Sequence, residues 1–121
     1  MKKRFRLKGR RDFQRVVSGR RLLSSRSLVG FAQPGTGAVS RVGVGASRRI
    51  RGSVARNRAR RRLREAVRIA LRPEGSLPGA PGINIDVVLI ARPALLGLTF
   101  AQVQLDVAGL ADKLGAFAAP A

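Results

Sequence analysis

The apolar positions of this 121-residue chain fall into short blocks whose spacing changes along the sequence. From Arg10 to Ser18, Phe13, Val16 and Val17 stand at i, i+3 and i+4, one face of a short helix that Gly19 ends. SLVGFAQ (27–33) reads as a strand, PGTGAVS (34–40) as a turn, and RVGVGA (41–46) as a second strand forming a hairpin with the first. Valine and glycine alternate in that second strand, which implies that something approaches its glycine face closely.

Ser53 is the predicted N-cap of a helix running to Arg72. On a 3.6-residue wheel Ala55, Ala59, Leu63, Ala66, Val67, Ala70 and Leu71 share one face, and Arg58, Arg61, Arg64, Arg68 and Arg72 lie on the opposite half. Pro73 stops this helix, and PEGSLPGAPG (73–82) is a flexible loop. INIDVVLIA (83–91) is almost continuously apolar and β-branched, the pattern of a central strand buried on both faces. In TFAQ, Thr99 caps a last helix and Gln102 reaches back to it. Phe100, Val103, Val107, Leu110 and Leu114 then face the sheet. Residues 1–9 read as a basic arm and 115–121 as a fraying tail. The whole is one domain, 1–121, with the order α-β-β-α-β-α. That order predicts an α+β sandwich, one sheet with helices packed on one face.

Charge changes the picture. The chain carries 25 Lys+Arg against 6 Asp+Glu, a net +19. Residues 1–72 hold 23 of the basic and two of the acidic residues (Asp12 and Glu65), so the excess is confined to that part. GSVARNRARRRLREAVR (52–68) alone has seven arginines and one acid. A solvated helix face is ordinarily laced with both signs, so the missing counter-charge is expected from a partner. The bias toward arginine, a planar bidentate donor to phosphate, favours nucleic acid. An anionic membrane surface is the second option on charge alone, but the apolar helix face is alanine-rich and suits close packing on a sheet.

Cysteine and histidine are both absent. Disulfides, thiolate nucleophiles, zinc sites of the usual kind and the commonest general base are thereby excluded. Asp12, Glu65 and Asp86 are scattered and suggest no metal site. MKKRFRLKGRR is not followed by the apolar stretch of a secretory signal, and the best apolar run, Val87–Ala91, is too short to span a bilayer. A cytoplasmic protein is expected.

SRRIRGSVARNRARRRLREAV resembles the protein subunit of bacterial ribonuclease P, whose signature is an Arg-Asn-Arg element opening a long basic helix, here Arg56-Asn57-Arg58. RFRLKGRRDFQRVV, RVGVGASRRI and IDVVLIARPALLGLTF resemble further parts of that family in the same order, so the likeness covers nearly the whole chain. It implies an α+β sandwich with a left-handed βαβ crossover. It also implies a chain inactive by itself that assists a catalytic RNA, with Mg2+ bound mainly by RNA, in removing the 5′ leader from precursor transfer RNA. Carried over by position, Arg48, Arg49, Arg56, Asn57, Arg58, Arg61, Arg64 and Arg68 contact RNA. Phe13, Val17 and Phe31 line a cleft for the single-stranded leader. Val17 stands where many relatives have a second aromatic, and Ala59 where they have a larger aliphatic. From the pattern alone, Phe13 and Phe31 read first as core residues, and only the resemblance brings the cleft reading level with that; an architectural or ribosomal RNA-binding protein is the alternative.

Overall fold

In the computed structural model, which describes residues 5–118, the most apolar strand takes the middle of the sheet. Residues Ile85–Ala91 form β4, buried at every position but Ile90. A strand with two apolar faces needs cover above and below and a neighbour on each side. Leu28–Pro34 (β2) pairs with it antiparallel, and Arg41–Ala46 (β3) pairs parallel on its other edge. Arg20–Ser24 (β1) pairs antiparallel with β2, and the sheet order is β1-β2-β4-β3.

Two expectations change here. β2 and β3 do not form a hairpin, because β4 inserts between them; its need for two partners outweighs their closeness in sequence. β1 was not visible in the pattern, because its register shifts between Arg21 and Leu23 and places Leu22 and Leu23 side by side. That irregularity removes the alternation by which a strand is recognised.

The parallel β3–β4 pair requires a crossover, and helix α2 (Ser53–Ala70) supplies it. Ala59, Leu63, Ala66, Val67 and Leu71 are buried against Leu28, Ala32, Val42, Val87 and Leu89, so the apolar wheel face is the packed one. The predicted cap is not made: Gly52 is the N-cap, at φ 90, and Ser53 is the first helical residue. The helix stops two residues before the expected Arg72, which adopts φ 43 ahead of Pro73.

After a 3-10 turn at Pro93–Gly97, the Thr99–Gln102 capping box opens α3 (Phe100–Ala108). The expected single last helix is interrupted at Gly109, and α4 (Leu110–Ala118) follows directly. Residues 115–118 therefore belong to a helix, with Phe117 packed on the core, and are not part of a fraying tail; 119–121 lie outside the described residues.

Helix α1 (Arg10–Val17) lies on the opposite face of the sheet, where Leu7, Val16 and Val88 form a smaller buried cluster bordered by Phe13, Val17, Phe31 and Ile90. Helices thus cover both faces, not one. The basic arm is also not free over 5–9: Phe5 and Leu7 are buried, and the Leu7 amide donates to the Val42 carbonyl at 3.0 Å. That contact, with the Arg6–Val42 bridge, covers the outer edge of β3. Residues 1–4 of the arm lie outside the described residues.

Candidate nucleic-acid interface

Because α2 buries its alanine and leucine face, most of its arginines are forced outward; Arg62 instead donates to the Leu95 and Leu98 carbonyls at 3.2 Å and 2.8 Å. Arg58, Arg61 and Arg64 are exposed and make no ion pair or side-chain hydrogen bond among the described residues. Arg68 is exposed as well but is bound to Glu65 at 2.5 Å. Its hydrogen bonds hold the Glu65 carboxyl below its ordinary pKa and raise that of Arg68. Two other members of the predicted set are partly engaged. Arg56 Nη1 donates to the Ile50 carbonyl at 3.1 Å and ties the preceding turn to the helix. Asn57 Oδ1 accepts from Arg60. Arg48 and Arg49 are exposed on that turn, which is pinned by buried Ile50 and by the Arg49 amide donating to Ser47 Oγ at 3.1 Å.

The first turn of α2 contains no acid. Arginines at a helix N-terminus oppose the macrodipole, which favours anions there. Backbone and side chains therefore present the same sign at one place.

On the other face, Phe13 and Val17 of α1 stand over Phe31 and Ile90 of the sheet, all four partly exposed. They border a cleft whose buried bed is Leu7, Val16 and Val88. The glycines of β3 explain its depth: a Cβ at Gly43 would meet the Phe13 ring at 2.7 Å, so the ring uses the space that a side chain would fill. The close approach implied by the valine–glycine alternation is that of Phe13. This residue lines two hollows. One, of about 450 Å³, is bounded by Phe13, Gln14, Val17 and Ser18. The other, of about 220 Å³, is bounded by Arg6, Lys8, Phe13, Gly43 and Arg64 among others, and so joins the cleft to the basic face of α2. Arg48 and Arg68 line neither hollow.

Sequence reasoning missed three residues at this site. Arg21 of β1 stands 5.7 Å from the centre of the Phe31 ring, a cation–π contact that depends on a strand pairing the pattern did not reveal. Arg15 and Arg41 both donate to the fully buried Asp86 carboxylate, Arg41 at 2.9 Å and 3.2 Å. The hydrogen bond to Asp86 raises the Arg41 pKa above its ordinary value, against the effect of burial. One acid inside an otherwise apolar strand was the available signal.

A four-stranded α+β sandwich with an arginine-faced crossover helix on one side and a half-apolar cleft on the other defines a small basic protein built to meet a polyanion. The comparisons with known proteins narrow that class. The family model described as Ribonuclease P matches residues 1–115, and the chain belongs to that family. The ribonuclease P protein component of Symbiobacterium thermophilum is 38% identical over 118 residues, covering 95% of this chain and 95% of the relative. That of Roseiflexus castenholzii is 40% identical over 116 residues, covering 95% and 89%. Among solved structures, the ribonuclease P protein from Thermotoga maritima superposes with a TM-score of 0.67 at 26% identity, covering 89% of this chain and 96% of that one. The chain thus has a role in ribonuclease P. No helix among the described residues is long and apolar enough to cross a membrane.

Proposed function

We propose that this chain is the RNA-binding protein subunit of a cytoplasmic ribonuclease P, in which the catalytic RNA removes the 5′ leader of precursor transfer RNA. In this reading the exposed face of α2, with Arg56, Asn57, Arg58, Arg61 and Arg64 and the turn residues Arg48 and Arg49, holds the catalytic RNA. Arg68 extends that face once phosphate competes with Glu65. Phe13, Val17 and Phe31 receive the single-stranded leader, whose bases stack at ~1–3 kcal/mol each. The observation that carries the reading is the row of Arg58, Arg61 and Arg64, without ion pairs among the described residues, on a helix anchored by its opposite face.

The described residues do not fit the magnesium ion of such an enzyme. They gather no group of three acids, Asp86 is occupied by two arginines and Glu65 by Arg68. In the proposed reading Mg2+ belongs to the RNA, no residue of this chain is catalytic, and the isolated chain is expected to be inert.

Binding of the catalytic RNA as a function of salt tests the interface. Each phosphate contact contributes roughly 0.7–0.9 to the slope of log K against log salt. Replacing Arg58, Arg61 and Arg64 together by alanine is expected to lower that slope by about 2–3 while the circular dichroism spectrum is unchanged. An unchanged slope would remove α2 from the interface.

A further inference from the structure

Helix α1 forms one wall of the cleft, yet little apolar surface holds it in place. It has eight residues, too few for an isolated helix to persist in water, and its only buried side chain is Val16. At the opposite extreme of chemistry, the Asp86 side chain is fully buried on the sheet face beneath it. A carboxylate there requires charged partners, and they come from two elements. Arg15 reaches it from α1 and Arg41 from β3. Arg15 also donates to the Pro34 carbonyl of β2 at 3.3 Å, and its own carbonyl accepts from Gln33 at 3.4 Å. Asp12, on the first turn of α1, lies 3.6 Å from Arg15 and 3.8 Å from Arg41. Four charges thus fasten α1 to three strands at one end of the cleft. Arg15 sits between Phe13 and Val17 in the helix, so its position fixes theirs.

We propose that Asp86 is a positioning residue for RNA: through Arg15 and Arg41 it clamps α1 to the sheet and sets the spacing of Phe13 and Val17 over Phe31 and Ile90. This rests on the reading that single-stranded leader occupies that cleft. It differs from an electrostatic role, because Asp86 repels phosphate and is out of its reach. Its effect on binding is indirect and geometric.

The test uses the full chain assembled with a bacterial ribonuclease P RNA and two precursor transfer RNAs, one carrying a 5′ leader and one without. The readout is the ratio of their dissociation constants. Arg15→Gln releases α1 while Asp86 keeps Arg41, and Asp86→Asn removes the centre of the clamp. Arg11→Gln, on an exposed site of the same helix, removes an equal charge without touching it. Both clamp variants are expected to lose about tenfold or more of the leader preference, the value of one well-stacked base. Arg11→Gln should keep that preference, and all three should retain affinity for the catalytic RNA. Equal losses in Arg15→Gln and Arg11→Gln would overturn the proposal in favour of simple charge. A lower melting temperature for Arg15→Gln with the leader preference intact would reduce the clamp to a stabilising contact and also overturn it. Phe31→Ala separates the two levels. If it abolishes the preference while Arg15→Gln does not, the cleft stands and the positioning role falls. If it leaves the preference unchanged, the cleft reading falls and takes the proposal with it. Should Asp86→Asn fail to fold, Arg15→Gln decides alone.

Discussion

A methyl group added at Gly43 would come within 2.7 Å of two carbons of the Phe13 ring, whereas one at Gly45 would find its nearest neighbour, another carbon of that ring, at 3.6 Å. The two glycines share a strand and a face but differ in what they permit. Gly43→Ala is expected to cost about 1–3 kcal/mol through overpacking. Gly45→Ala should be neutral or stabilising by up to about 1 kcal/mol, since it narrows the unfolded ensemble without a clash. Urea unfolding of the two variants checks both values; equal effects would mean that Phe13 does not rest on β3. At this scale the sequence announced the close approach but not the identity of the approaching group. Phe13 is separated from Gly43 by thirty residues, and no local pattern connects them. Asp86 was visible as an anomaly in an apolar strand, while its partners Arg15 and Arg41 were hidden among 25 basic residues.

At the scale of the element, α2 separates stability from binding onto two faces, and single substitutions should respect that division. Leu63 is fully buried against the sheet, so Leu63→Ala is expected to cost 2–5 kcal/mol, about what a large cavity in a core costs. Arg61→Ala, two residues earlier on the opposite side of the wheel and exposed, should change stability by no more than about 0.5 kcal/mol. It should still lower the salt slope of RNA binding by roughly 0.7–0.9. Chemical denaturation and a salt titration on the same two proteins measure the split, and a destabilised Arg61→Ala would contradict it. Both faces of α2 were legible from a 3.6-residue wheel, because nothing but packing decides which side of an amphipathic helix turns inward. Its start was not. The Gly52 cap depends on a positive φ, which the attractive serine beside it concealed. β1 was lost for a related reason, its bulge having erased the alternation.

For the whole molecule, the net charge of +19 opposes compactness as well as recruiting a partner. Five described ion-pair contacts, all centred on Asp12, Asp86 and Glu65, offset only a small part of it. Raising salt from about 0.1 M to about 1 M shortens the screening length from about 10 Å to about 3 Å. The melting temperature of the free chain should therefore rise across that range. A fall would show that attractive pairs outweigh repulsion. Sheet order belongs to this scale too, and it was the least legible feature. The apolar strand declared itself central, but that it enters between β2 and β3 follows from the crossover through α2, a long-range pairing with no signature in either strand. The same arrangement brings Arg64 of α2 to the hollow that Phe13 of α1 lines, joining the two surfaces on which the functional reading depends.

That joint role is tested most directly by reconstitution at low magnesium, with the purified chain, a bacterial ribonuclease P RNA and a precursor transfer RNA labelled at its 5′ end. The account predicts that the chain alone leaves the precursor intact and that, added to the RNA, it switches on cleavage at the mature 5′ end. Salt-sensitive binding of both RNAs with cleavage unchanged would contradict it, and would leave a protein that coats RNA without directing a reaction.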